Sequence, residues 1–126
     1  MNKLKELQKD QIRKEVILDA TDQAIGRLAS KVAFLLQGKA SADFEPRKVG
    51  NTIVTVLNIK KIKVTGKKLN DKMYYRWTGY IGNNKQFSLK NKLDKDIIKT
   101  FREMVRGMLP KNTLRDKRLK NLIVKL

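Results

Sequence analysis

Cysteine and histidine are both absent from this chain of 126 residues. With them go disulfide frameworks, thiolate nucleophiles, the commonest zinc ligands and the side chain best suited to proton transfer near neutral pH. Carboxylates are few, twelve in all, scattered and mostly beside cations. Asp94 and Asp96 stand close together, but helix capping accounts for them better than catalysis. The turn Asp19 to Gly26 holds one glycine where a dinucleotide fingerprint needs three, and no Walker-type phosphate loop occurs. No window approaches the ~18 apolar residues of a membrane-crossing helix. These absences predict a protein that is not an enzyme and has neither cofactor, metal nor small-molecule substrate.

Residues 1–14 have Leu4, Leu7 and Ile12 as their apolar side chains beyond the initiator, interrupted by Glu6 and Asp10. That pattern fits neither the hydrophobic core of a secretory signal nor an acid-poor transit peptide, so the expected location is the cytoplasm. They read as an N-terminal extension to one domain over 15–126, a length suited to a single core.

What the chain has is positive charge. Thirty Lys and Arg against twelve Asp and Glu leave a net of +18. A small soluble domain ordinarily carries roughly 2 to 8 units, and self-repulsion on this scale calls for a polyanionic partner. The excess is localised. Residues 60–90 hold nine cations and one carboxylate, and 110–126 six and one, so thirteen of the eighteen units lie in two segments. A uniformly solvated basic surface would show no such clustering.

Val16 to Leu18 reads as a short buried strand. Thr21 or Asp22 is placed to cap a helix whose apolar residues Ile25, Leu28, Ala29, Val32, Leu35 and Leu36 recur at helical spacing, with Gly38 as the stop. Ile53 to Leu57, apolar and β-branched, reads as a strand covered on both faces. Strand, helix and strand at this spacing predict a right-handed βαβ unit with a parallel sheet. Short helical turns are expected over 59–72, a third strand over Met73 to Thr78, and an irregular loop through Gly79, Gly82, Asn83 and Asn84. A second amphipathic helix starts at Asp94 or Asp96 and runs to Met108, broken by Gly107 and Pro110. A third begins with Asn112 as cap, and Ile123 to Leu126 can form a final strand.

The segment from Lys60 to Lys90 mixes cations with stacking surfaces. Tyr74, Tyr75, Trp77 and Tyr80 are four of the eight aromatics, within seven positions. On a strand Tyr75 and Trp77 share one face while Tyr74 and Arg76 share the other. One face would pack into the core, leaving the other to offer a ring and a guanidinium to an unstacked base. Lys60, Lys61, Lys63, Lys67, Lys68 and Lys72 would neutralise phosphates without regard to sequence. Arg115 and Arg118, three apart, would form a basic ridge on the last helix. That helix offers only three spaced leucines and no anchoring aromatic, which disfavours a membrane surface.

The same residues carry a pattern. Leu18-Asp19-Ala20 with Ile25-Gly26-Arg27-Leu28-Ala29-Ser30, then Lys61 to Lys68, then Asp71-Lys72 with Tyr74-Tyr75-Arg76, Thr78-Gly79-Tyr80 and Gly82, then Val105 to Asn112, occur in this order. From near Glu15 to Leu126 the chain resembles the ribosomal protein L13 family of the large subunit. It departs from the family at Glu15, where a tryptophan is usual, at Lys48 to Asn51, and at Trp77, where a histidine is common.

The resemblance implies a three-layer α/β/α domain around a four-stranded, mostly parallel sheet of order 3-2-1-4. It also implies binding to large-subunit ribosomal RNA, early assembly and contacts with neighbouring ribosomal proteins. By position it makes Arg27, Lys63, Lys67, Lys68, Lys72, Tyr75, Arg76, Lys85, Arg106, Lys111 and Arg118 the RNA-contact candidates, to which the ridge adds Arg115. Two other classes stay open on residues alone: a free RNA-binding regulator and, on the βαβ unit only, a nucleotide-dependent enzyme.

Overall fold

In the computed structural model, which describes residues 14–126, the first strand β1 (Lys14–Asp19) lies parallel to β2 (Thr52–Leu57), with Val16 opposite Val54 and Leu18 opposite Val56. Between them runs helix α1 (Ile25–Leu36), whose buried residues Ile25, Leu28, Ala29, Val32, Ala33 and Leu36 form one stripe at the 3.6-residue period. That stripe meets Val54 and Val56 of β2, both 0% exposed. The helix ends where Gly38, at φ +77°, turns its N–H to the Leu35 carbonyl at 2.9 Å. Thr21 and Asp22 do not cap it: Thr21 bonds to the Asp19 carboxylate, Asp22 pairs with Lys63, and the N-cap residue is Ala24.

After β2 come a single 3-10 turn (Ile59–Lys61) and the short helix α2 (Lys68–Asp71). Strand β3 (Met73–Trp77) follows and pairs antiparallel with β4 (Asn84–Ser88) as a separate two-stranded hairpin. Helix α3 (Leu89–Lys95) is capped by the Ser88 side chain and α4 (Ile97–Met108) by Asp96, whose carboxylate accepts from the Lys99 N–H at 2.9 Å. Thr100 fixes the junction by donating its hydroxyl to the Lys92 and Asp96 carbonyls. Phe101 and Val105 of α4, fully buried, complete the core against α1. Each such side chain contributes roughly 1.5–3 kcal/mol on burial. Helix α5 (Leu114–Lys120), preceded by Thr113 rather than capped by Asn112, leads into β5 (Leu122–Val124).

The expected βαβ unit and parallel sheet are present; the expected order 3-2-1-4 is not what the described residues form. Their parallel sheet has three strands in the order β1-β2-β5, with β2 central and Leu122 opposite Val54. Residues 73–77 leave that sheet because Met-Tyr-Tyr-Arg-Trp cannot bury both faces, as a strand inside a parallel sheet must. Helices α1 and α4 cover one face. The other face carries Ile17 and Ile123, 67% and 44% exposed, so a helical layer on that side is not seen among the described residues. Of the proposed N-terminal extension, residues 1–13 lie outside the described residues.

Candidate nucleic-acid interface

Three of the cations of 60–90 gather beside the start of α1. A shallow depression has an apolar floor from Ile25, Val64, Leu89, Met104 and Met108, and a rim bearing Lys67, Lys68 and Lys72, with Asp71 as its lone carboxylate. An adjoining hollow shares Ile25, Gly26, Lys68 and Met108 and adds Arg27, Ser30 and Thr65. Four of the sequence-predicted residues, Arg27, Lys67, Lys68 and Lys72, therefore line one continuous concave surface. They come from three places: the solvent face of α1, the residue before α2 with its first turn, and the link to β3. All four are exposed. What they supply together is positive potential.

The hairpin springs from the rim of this surface. Its root is pinned where the Leu89 N–H donates to the Lys72 carbonyl at 2.9 Å. Arg76 and Lys85 sit directly opposite each other across the ladder and are both exposed. The glycine-asparagine loop expected from sequence is the turn of this hairpin, closed by the Thr78 hydroxyl donating to the Asn83 carbonyl at 2.6 Å. Tyr74 is half-buried, with the Lys92 ammonium 4.2 Å and the Lys72 ammonium 5.4 Å from its ring centre. Lys92 is itself paired to Glu103. Tyr75 and Trp77 point to the opposite face and are each 68% exposed, so neither joins the core.

The remaining candidates are dispersed. Lys63 is exposed and its ammonium lies 2.9 Å from the Asp22 carboxylate, while Arg106 lies 3.5 Å from Asp116. Exposed pairs of this kind are worth about 0–1 kcal/mol, so either cation can trade its partner for a phosphate. Lys111 is exposed in the link between α4 and α5. Arg115 is half-buried, and its Nε finds no acceptor among the described residues.

Arg118, expected on the RNA-facing surface, is buried instead. Only 2% exposed, its guanidinium donates from Nε to the Val49 carbonyl at 3.1 Å and from Nη2 to Pro46 and Lys48 at 3.1 and 2.8 Å. Burial lowers its pKa from the usual arginine value. A side chain so enclosed offers nothing to a phosphate, and its role is to hold the loop before β2. Arg115 and Arg118 therefore make no shared outer ridge.

Sequence reasoning passed over Trp77. Its i,i+2 relation to Tyr75 was visible; that both rings would stay in solvent was not, because the partner strand Asn84–Ser88 carries no alternating apolar pattern. Among the described residues no group of acidic side chains could hold a metal ion, and no helix is long and apolar enough to cross a membrane.

The sequence model of the family described as ribosomal protein L13 matches residues 13–124. The large ribosomal subunit protein uL13 of Alkalilimnicola ehrlichii is 43% identical over 108 residues, covering 86% of this chain and 76% of the relative. Its counterpart in Desulfovibrio desulfuricans is 43% identical over 114 residues (90% and 79%), and that of Helicobacter hepaticus 41% over 117 (93% and 82%).

Proposed function

Because the chain belongs to the ribosomal protein L13 family, we propose that it holds large-subunit ribosomal RNA through the concave basic surface and the hairpin beside it, and that it acts during assembly and afterwards within the cytoplasmic large subunit. As a member of that family it is a structural component of the large ribosomal subunit and not an enzyme. The observation that carries the RNA reading is the convergence of Arg27, Lys67, Lys68 and Lys72 on one surface, continued outward by Arg76 and Lys85. Lysines exposed on and beside a short helix suit phosphate neutralisation that is indifferent to base identity, while the hairpin supplies shape. Neighbouring ribosomal proteins are the further partners, and the open sheet face around Ile17 and Ile123 is apolar enough to receive one.

The test is the salt dependence of binding to protein-free large-subunit RNA. Six surface cations engaged with phosphates predict that log K falls against log salt with a slope of about −4 to −5. A flat response between low and moderate salt would mean that phosphate contact is not what holds the protein.

A further inference from the structure

We propose that the outer face of the hairpin, carrying Tyr75 and Trp77, is a stacking platform for unpaired RNA bases; this rests on the RNA-binding reading and adds a second, base-directed mode to it. Met73, Tyr75 and Trp77 project from one face of β3, and their cross-strand partners there are Ser88, Gln86 and Asn84. Tyr75 and Trp77 are each 68% exposed, so the fold leaves two large rings in water with small polar side chains beside them. Exposing such rings forgoes the burial energy that aromatics ordinarily provide, and an external partner restores it.

Alternate strand positions stand about 7 Å apart. That is the display by which sheet-borne aromatics hold successive unstacked bases in RNA-recognition domains. Gln86 and Asn84 add amide groups able to donate to and accept from base edges. Tyr74 makes the contrast: it is half-buried on the other face with a lysine over its ring, so it is already engaged.

Charge decides between partners. From Lys72 to Leu93 there is no carboxylate, whereas Lys72, Arg76, Lys85, Lys90 and Lys92 all lie within that span. Arg76 and Lys85 occupy the face opposite the rings, placed for the backbone of a strand whose bases lie on Tyr75 and Trp77. An apolar protein surface would answer the rings and leave those cations unmatched. An unpaired nucleotide strand answers both.

Trp77 is the only tryptophan, so emission excited selectively at tryptophan, away from the tyrosines, reports this site alone. The full chain is titrated at low salt with single-stranded poly(A), with the poly(A)·poly(U) duplex and with inorganic polyphosphate. Poly(A) is expected to quench the Trp77 emission strongly, while duplex and polyphosphate bind and leave it nearly unchanged. Trp77→Ala is expected to weaken poly(A) binding about 5- to 150-fold, the range that stacking of one base spans, and Trp77→Phe to retain most of it. If poly(A) binds with the wild-type emission unaltered, the platform is overturned while RNA binding stands. If no RNA binds at all, both readings fall. In a further titration with RNA-free large-subunit proteins, an emission that responds to them and not to poly(A) would make the face a protein contact and the proposal wrong.

Discussion

Arg118 and Val49 are 69 positions apart in sequence and joined by a hydrogen bond of 3.1 Å, the first of three by which one buried guanidinium ties α5 to the loop entering β2. The planar fork suits several acceptors at once, and a lysine ammonium on a thinner stem cannot reproduce it. Arg118→Ala removes the donor of three part-buried hydrogen bonds and leaves their carbonyl acceptors without it, a loss of about 1–3 kcal/mol each. The expected loss of stability is about 3–5 kcal/mol by denaturant unfolding, with Arg118→Lys recovering only part. A variant as stable as the wild type would mean that the loop does not depend on this clamp.

Gly50 belongs to the same corner. Its φ is +90°, and a Cβ there would stand 3.1 Å from the Leu36 carbonyl oxygen at the end of α1. Gly50→Ala meets both backbone strain and a crowded backbone atom, and is expected to destabilise by about 1–3 kcal/mol. Gly26→Ala is the control: it meets open space on a helix and should be neutral or slightly stabilising by thermal denaturation.

Replacing Lys67, Lys68 and Lys72 together by alanine should leave the fold intact, since all three are exposed. Affinity for ribosomal RNA should drop at every salt concentration, and the slope of log K against log salt should shrink by about 2–3. A changed affinity with an unchanged slope would place the contacts elsewhere.

Asp19 gives a pH dependence. Its carboxylate accepts from the Thr21 N–H at 3.0 Å, the Thr21 hydroxyl at 2.8 Å and the Asn58 amide at 3.1 Å, with Lys61 nearby. The Thr21 backbone bond is the leading cause that holds its pKa below the ordinary value of about 3.9. A depressed folded-state pKa stabilises above the unfolded value and loses that contribution as pH falls through the folded one. The melting-temperature difference between the wild type and Asp19→Asn should therefore narrow below about pH 4. A difference that stays constant from neutral to acid pH would assign the effect to geometry rather than ionisation.

The strand, helix and strand from Val16 to Leu57 could be read directly because the apolar period of Ile25 to Leu36 and the continuous run of Ile53 to Leu57 are local signals. Asp96 was one of two caps the local pattern offered, and the choice over Asp94, which lies inside α3, was not legible. The hairpin was half legible: Met73 to Trp77 announces a strand, but Asn-Lys-Gln-Phe-Ser offers its partner strand one apolar residue. Sheet order was not legible, since what seats Leu122 beside Val54 is packing between distant segments. Of the candidate site, the lysines around α2 are exposed, as phosphate contacts must be, because their segment has little to bury. Arg118 was misread. Its helical spacing to Arg115 is real, but the loop of Pro46 to Val49 folds over it, and no local pattern announces that.

A chain that works inside the large ribosomal subunit by gripping its RNA must sediment with that subunit. Native extract sedimented through a gradient after washing at moderate salt tests it most directly, with the chain followed by antibody. The protein should travel with large subunits and whole ribosomes, and the variant lacking Lys67, Lys68 and Lys72 should be depleted from them. A protein that stays at the top of the gradient, wild type and variant alike, would contradict the account.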